Sequence, residues 1–259
     1  MLRTLLQALL AGGLLWLAGP AWAGLPDVVA AMKPSVLAIG SYNALKSPRF
    51  TFHGTGFVVG NGTLVVTNAH VLPSGAQVDL DAKLMVLLPN AKASPGQDDP
   101  ELRAASVVDT DPVHDLALLK LEGSPLPALT LGDSASVRDG QSVALMGFPI
   151  GGVLGFRHVT HQGIVSSLTL VALPAPTSRQ LDERAVRQLR QGPFELFQLD
   201  AIAYPGNSGG PVFDPDSGAV LGVLNMGLLK GTRESALSQP TGISYAIPVR
   251  FVAELLARR

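Results

Sequence analysis

The sequence predicts an all-β fold of two closed barrels followed by a C-terminal helix, with a functional site between the barrels. Short apolar runs recur between Gly, Pro and Asn residues, which is typical of barrels and sandwiches. The chain has 259 residues, 47% of them hydrophobic, which is enough to bury two small packed cores. Near the C-terminus, helical spacing after Pro248 relates the apolar residues Val249, Val252, Leu255 and Leu256.

The first barrel is expected over residues 35–148, after a short helix at Leu25–Lys33 that ends near Pro34. Its clearest element is a hairpin of Gly56–Val59 and Thr63–Thr67. Asn61-Gly62 lies between these runs, and this pair tolerates the positive φ angles of a tight hairpin turn. The other strands of this barrel are expected at Val36–Ile39, Ala82–Leu88, Ala104–Val108, Ala117–Leu121 and Ser142–Gly147.

The second barrel is expected over residues 153–247, and the closing helix over residues 248–258. Two segments depart from the strand rhythm. Asn90–Pro100 is a polar loop, and Leu181–Gln191 has helical composition, which fits either a regulatory loop or a solvated surface helix. The strands of this barrel are expected at Arg157–Ser167, Phe197–Leu199, Gly210–Phe213, Val220–Asn225 and Ser244–Ile247.

The amino terminus predicts a secretory signal peptide over residues 1–23. Arg3 precedes an apolar run, Leu5–Ala18, and the small-residue pattern Ala21-Trp22-Ala23 predicts cleavage after Ala23. An uncut membrane anchor is the alternative, but a run of about 14 residues is shorter than the roughly 20 that span a bilayer. We therefore expect residues 24–259 to be exported, to the periplasm or the medium.

Composition excludes several classes of function. The chain contains no cysteine, which removes thiol nucleophiles, disulfide scaffolds and cysteine-based zinc sites. Its 19 Lys and Arg residues balance 20 Asp and Glu residues and are scattered, so no nucleic-acid partner is expected. His158 and His161 are three residues apart on a predicted strand and would point to opposite faces. We expect neither a metal nor a cofactor.

The strongest catalytic signal is Ser208, which lies in the glycine-rich segment Gly206–Pro211. Alone, this segment fits a plain turn or the nucleophile elbow of α/β-hydrolases. The elbow requires a histidine after the serine, and none follows Ser208. A triad in the order His, Asp, Ser is available instead: His70 directly follows the hairpin strand, and Asp115 directly precedes an apolar strand.

These segments resemble the HtrA/Deg family of trypsin-like serine proteases. The resemblance implies a trypsin-like double β-barrel with the active site between the barrels and His70, Asp115 and Ser208 as the triad. The matching blocks are Thr67–Val71, Asp115–Lys120, Gly163–Ser166, Asp200–Ala201 with Gly206–Pro211, and Gly242–Pro248.

A serine endopeptidase that hydrolyses unfolded or damaged proteins is therefore expected, with the backbone N–H groups of Gly206 and Ser208 as the oxyanion hole. Its partners would be polypeptide substrates, with a possible homo-oligomer; no PDZ domain is expected after the closing helix. A proteolytically weak envelope protein that binds unfolded chains, and an esterase with the same triad, are the alternatives. The expected substrate pocket is lined by Ile202, Ala203, Leu224, Asn225 and Met226. Because this pocket lacks a carboxylate, cleavage after apolar residues is predicted.

Overall fold

The computed structural model describes residues 24–73, 79–88, 101–149, 151, 155–171, 194–225 and 242–258. Within these ranges the chain forms two closed six-stranded antiparallel barrels and two α-helices. The all-β double-barrel prediction is confirmed. Neither of the two described helices has the length and apolar character needed to cross a membrane. The predicted signal peptide (1–23), the loop 90–100 and the segment 181–191 lie outside the described residues.

Barrel one contains six strands, and counted along the chain they are paired in the order first, second, third, sixth, fifth, fourth. The first strand closes the barrel by pairing with the fourth. The predicted hairpin is confirmed, since Phe57 pairs with Val66 and Val59 with Leu64. Gly60 and Gly62 in its turn have positive φ angles of 63° and 85°. The strands are β1 (Val36–Tyr42), β2 (Phe50–Val59), β3 (Leu64–Asn68), β4 (Lys83–Leu88), β5 (Glu101–Asp111) and β6 (Leu116–Leu121).

Barrel two contains a strand that the sequence analysis assigned to barrel one. Ser142–Gly147 pairs with the next strand, Gly147 opposite Val159, and with the strand after Ser208, Leu145 opposite Val212. The predicted boundary near residue 148 was therefore wrong, because a strand's periodicity does not identify its partners. The strands are β7 (Ser142–Gly147), β8 (Val159–Val171), β9 (Phe194–Asp200), β10 (Pro211–Phe213), β11 (Val220–Asn225) and β12 (Ile243–Pro248). Their order around the barrel is β10-β11-β12-β9-β8-β7.

Two helices cover apolar surface that the barrels leave. Helix α1 (Leu25–Met32) buries Val28 and Met32. Helix α2 (Arg250–Ala257) buries Phe251, Val252 and Leu255. The closing helix was predicted to start at Pro248, but Pro248 is the last residue of β12 and pairs with Gly222. β12 pairs with β9 only from Ile243 to Ala246, so Pro248 lies beyond that ladder, where its missing N–H is tolerated.

Helix α2 is fastened to both barrels by a cluster around His114. The His114 ring stacks on Phe251 of α2 at 3.7 Å between centroids and meets Phe194 of barrel two edge-on at 4.9 Å. Asp111 of barrel one lies 2.9 Å from His114 Nδ1 and accepts from Arg258 at 3.0 Å. We call Asp111, His114, Phe194, Phe251 and Arg258 the helix clasp.

Asp111 is the acidic residue of the helix clasp. Its burial acts to raise the pKa, but hydrogen bonds from the His114 side chain and backbone, together with the nearby charges of His114 and Arg258, outweigh that effect. They lower the pKa of Asp111 to about 2. The clasp therefore joins barrel one, barrel two and α2 around an ionised carboxylate.

Candidate active site

His70 and Asp115 form a close pair at one edge of barrel one. Strand β3 ends at Asn68 and continues into a single 3-10 turn, Ala69–Val71, which turns His70 toward the start of β6. His70 Nδ1 lies 2.5 Å from Asp115 Oδ2, and the His70 backbone N–H donates to Asp115 Oδ1 at 3.0 Å. An ionised Asp115 accepts a hydrogen bond from Nδ1–H, and in this tautomer Nε2 carries no proton and can accept one.

The backbone of Asp115 has an uncommon conformation that its neighbours hold. Its φ is 54°, in the left-handed region, and it is 97% shielded from solvent, with 3% exposed. The Asp115 carbonyl accepts from the Ala69 N–H at 3.0 Å and from Asn68 Nδ2 at 3.1 Å. This conformation allows the carboxylate to face both the N–H and the ring of His70.

A third donor reaches the Asp115 carboxylate from barrel two. Asn225, at the end of β11, donates from Nδ2 to Asp115 Oδ2 at 2.8 Å, and both residues are buried. A buried carboxylate is costly unless it accepts hydrogen bonds, and this amide supplies one. Asn225 thereby joins the acid of barrel one to the end of a barrel-two strand.

Ser208 lies in a tight turn whose shape depends on glycine. The Asn207 N–H donates to the Tyr204 carbonyl at 3.0 Å, and Gly206 has a φ of 104°. Pro205 precedes it, and proline followed by a residue with positive φ defines a type II turn. Gly209 has a φ of 84°, and a Cβ there would lie 2.1 Å from the Thr55 carbonyl. Any larger residue at position 209 would collide with barrel one.

This turn holds two of its backbone N–H groups in hydrogen bonds and leaves two others unbonded within the described part of the chain. Asn207 and Gly209 donate to Tyr204 and Leu224, whereas Gly206 and Ser208 donate to no residue that the structure describes. Such a pair of free donors beside a serine is the arrangement that stabilises the oxyanion of acyl transfer. Gly206 and Ser208 are the two residues that the sequence analysis assigned to this role.

The serine turn and the segment that carries His70 both contact strand β2 of barrel one. The Thr55 N–H donates to the Ser208 carbonyl at 2.8 Å. A Cβ on Gly54 would lie 2.7 Å from Val71 Cγ2 and 3.0 Å from the Ser208 carbonyl oxygen, so this glycine separates the two segments. Ser208 and His70 are not hydrogen-bonded to each other among the described atoms. In free enzymes such catalytic contacts are often long and shorten when substrate binds.

The residues of the predicted substrate pocket lie in different surroundings. Ile202 exposes 42% of its surface, whereas Ala203 is buried in the core of barrel two. Leu224 is also in that core, and its backbone N–H and carbonyl are bound to Gly210 and Gly209. Asn225 is bound to Asp115, and Met226 lies outside the described residues. Leu224 and Asn225 therefore have structural partners that the sequence analysis did not anticipate.

Asn68 and Asn225 are functional candidates that sequence reasoning missed or assigned elsewhere. Asn68 directly precedes the histidine turn, and its position at the end of a strand beside a catalytic candidate was the one available signal. Asn225 donates across 110 residues of sequence, so no local pattern could reveal its partner.

No metal-binding cluster of three or more His, Asp or Glu side chains occurs among the described residues. His158 and His161 have other neighbours. His158 Nε2 lies 2.8 Å from the Val36 carbonyl, and burial lowers the pKa of both imidazoles. These histidines therefore favour the neutral form inside the fold.

Comparison with protein families shows a match between residues 54–223 and the trypsin-like peptidase domain. Among curated proteins, the chain is 32% identical over 235 residues to "Serine protease HTRA1A" of Danio rerio, covering 89% of this chain and 40% of that protein. It is 34% identical over 196 residues to "Probable periplasmic serine endoprotease DegP-like" of Pseudomonas fluorescens, covering 76% and 32%. The chain thus spans well under half the length of these relatives.

Solved structures share the fold at lower sequence identity. "HtrA-type protease AlgW with decapeptide" superposes with a TM-score of 0.63 at 22% identity and covers 91% of this chain and 67% of that chain. "HtrA-type protease AlgW with tripeptide" gives a TM-score of 0.61 at 24% identity, covering 91% and 63%. At these identities the likeness establishes the double-barrel architecture.

Proposed function

Because this chain belongs to the family of trypsin-like peptidase domains, we propose that it is an exported serine endopeptidase acting on unfolded or damaged polypeptides. His70, Asp115 and Ser208 are its triad. One observation carries the proposal: a bonded histidine–aspartate pair lies at the barrel junction beside a serine turn in which two N–H groups bond no described residue. The names of the relatives, which describe serine proteases, agree with a peptidase function.

The reaction begins when Ser208 Oγ attacks the peptide carbonyl carbon and His70 Nε2 takes the hydroxyl proton. Asp115 accepts the Nδ1 hydrogen bond and stabilises the imidazolium that forms. The carbonyl oxygen becomes an oxyanion that accepts from the N–H groups of Gly206 and Ser208. Collapse of this intermediate breaks the C–N bond, and the imidazolium gives its proton to the leaving amine.

The acyl-enzyme is then hydrolysed by the same groups. His70 Nε2 takes a proton from water as the water oxygen attacks the ester carbon. The second oxyanion uses the same two N–H donors, and its collapse returns the proton to Ser208 Oγ and releases the carboxylate product.

Cleavage after apolar residues and export are the finer parts of the proposal. Ile202 and Ala203 offer no carboxylate to a basic side chain, which favours apolar residues before the cleaved bond. Export is supported by the predicted signal peptide, residues 1–23, and by the word periplasmic in the name of one relative. Peptide mapping of digested unfolded casein tests the preference, because frequent cleavage after Lys or Arg would contradict it.

Active-site labelling tests the proposal as a whole. A fluorophosphonate probe is expected to label the folded protein rapidly at Ser208, and Ser208→Ala is expected to abolish labelling. Ser217→Ala is the matched control, since Ser217 is an exposed serine of the same barrel that bonds Asp214. Folded protein that neither labels nor cleaves casein would overturn the proposal and favour a binding role. Turnover of simple esters without casein cleavage would favour an esterase.

A further inference from the structure

Thr55 lies where barrel one meets the serine turn, and it is fully buried in β2. Both of its backbone groups are bonded outside the ladder between β2 and its neighbours. Its N–H donates to the Ser208 carbonyl at 2.8 Å, and its carbonyl accepts from Thr67 Oγ1 at 2.7 Å. The backbone of Thr55 is therefore fixed on both sides before its side chain is considered.

The hydroxyl of Thr55 reaches the residue that precedes Asn207. Oγ1 lies 2.7 Å from the Gly206 carbonyl oxygen and 3.2 Å from the Phe148 backbone nitrogen. The Phe148 N–H can only donate, so the single hydroxyl proton is directed to Gly206. The hydroxyl uses one donor and one acceptor in these two bonds, and a valine at this position could form neither.

The bonds to Thr55 complete an alternating pattern along the turn. The peptide between Gly206 and Asn207 is held at both ends, by Thr55 Oγ1 and by the Tyr204 carbonyl. The peptide between Ser208 and Gly209 is likewise held, by the Thr55 N–H and by the Leu224 carbonyl. The N–H groups of the two remaining peptides, those of Gly206 and Ser208, are the free oxyanion donors. Thr55 thus binds the carbonyl of each held peptide.

Glycine alone does not fix this geometry. Gly206 has a φ of 104°, but glycine populates positive and negative φ about equally well. A rotation at Gly206 would turn its carbonyl away from Thr55 and change the direction of the neighbouring N–H groups. An external bond to the Gly206 carbonyl is what makes one conformation preferred.

We propose that Thr55 is a positioning residue for the oxyanion hole, and that its hydroxyl holds the Gly206 peptide in the conformation that aims both N–H donors at the reacting carbonyl. This inference rests on the proposed peptidase function. The hydrogen bonds of Thr55 are to backbone atoms and to the Thr67 hydroxyl, and among the described residues none involves Ser208 Oγ or His70. Thr55 acts from barrel one on a turn that belongs to barrel two.

The test compares Thr55→Val, which keeps the shape and removes the hydroxyl, with Thr55→Ser, which keeps the hydroxyl. We expect kcat of Thr55→Val on a peptide substrate to fall roughly 10- to 100-fold with KM within about threefold. Removing one oxyanion donor outright typically costs 10²- to 10³-fold in kcat, and misplacing donors costs less. Thr55→Ser is expected to recover kcat to within about threefold of the parent chain.

Ser134→Ala is the control, because it also removes a buried hydroxyl that bonds a backbone group, here the Arg250 N–H at 3.1 Å at the start of α2. Its thermal stability should fall about as much as that of Thr55→Val, with kcat within about threefold of the parent. Equal losses of kcat in both variants would overturn the positioning role, because general loosening would explain them. An active parent with an unchanged, folded Thr55→Val would also overturn it and leave the proposed function standing.

Amide NMR spectra keep the two failures distinguishable. If the parent chain neither labels nor cleaves, the proposed function fails, but the Gly206 and Ser208 amide signals still report the turn. These signals should broaden or split in Thr55→Val and remain single and sharp in Thr55→Ser. Single, unshifted signals in Thr55→Val would refute the positioning role directly.

Discussion

The two halves of the candidate site are built in different ways. His70 and Asp115 both belong to barrel one, and the bonds between them, together with those of Asn68, are formed within that barrel. The serine turn belongs to barrel two, yet its Gly206 and Ser208 carbonyls are bonded to Thr55 of barrel one. The His70–Asp115 pair is therefore held mainly within barrel one, with one bond from Asn225 of barrel two, whereas the serine turn depends on how the two barrels dock.

The largest expected effect is on the half that one barrel contains. Asp115→Asn would present an amide N–H₂ group to His70 Nδ1 and favour the wrong tautomer. We expect kcat to fall about 10⁴-fold. Asparagine accepts the positive φ of this position, but its N–H₂ group would face the buried Asn225 Nδ2 donor, so a moderate loss of thermal stability is also expected. Steady-state kinetics with a peptide substrate measures the loss, and a decrease of less than tenfold would show that Asp115 does not serve His70.

The second prediction concerns the bond by which barrel two reaches the acid. Asn225→Ala removes the amide that donates to Asp115 Oδ2. We expect kcat to fall roughly tenfold, because a carboxylate that loses one of its hydrogen-bond donors holds the imidazole less firmly. Asn61→Ala, in an exposed hairpin turn, is the control and should leave kcat unchanged. A folded Asn225→Ala with the parent kcat would mean that barrel one alone holds Asp115.

The third prediction tests docking without touching the site. Asp111→Asn keeps the shape of the helix clasp and removes the negative charge of its carboxylate. The folded pKa of about 2 lies below the ordinary value near 3.9, so this charge stabilises the fold fully at neutral pH and its contribution disappears as pH falls from about 4 to about 2. At pH 7 we expect a loss of about 2–3 kcal/mol in the free energy of unfolding.

Urea denaturation of parent and Asp111→Asn at several pH values measures this effect. The difference between the two chains should be largest at pH 7 and should shrink below pH 4. A difference that is independent of pH would show that hydrogen-bond geometry, not charge, makes the clasp stable. If kcat at pH 7 also fell strongly in the folded variant, the geometry of the serine turn would depend on how α2 holds the two barrels together.

The smallest expected effect comes from an ion pair at the rim of the same docking region. Arg250 of α2 lies 3.5 Å from Glu195 of β9, and both side chains are about one-third exposed. Glu195→Gln should change the free energy of unfolding by about 0.5 kcal/mol or less, because water and salt screen such pairs. A change above about 1 kcal/mol in urea denaturation would show that rim contacts also determine docking.

Sequence reasoning predicted those parts of the molecule that have local causes. The hairpin around Asn61-Gly62 was predicted from its turn residues, and the order His70, Asp115, Ser208 selected one triad over another. The strand Ser142–Gly147 was found but assigned to the wrong barrel, because apolar spacing shows that a strand exists and not which strand it pairs with.

The bonds between the barrels could not be predicted for a related reason. Thr55 Oγ1 and the Gly206 carbonyl are separated by 151 residues, and each lies in a segment whose local pattern is already explained by strand or turn. Asn225 looked like a pocket residue because it ends a strand near the serine. Only the three-dimensional arrangement shows that its amide faces Asp115.

The positive φ of Asp115 limits which residues can replace it over evolutionary time. Asn, Asp and Gly tolerate that backbone geometry, whereas branched residues do not. A descendant that abandoned hydrolysis could keep this backbone geometry with asparagine or glycine at position 115, although it would lose the carboxylate that accepts from His70 and Asn225. Natural variation at this one codon would therefore separate selection for chemistry from selection for shape.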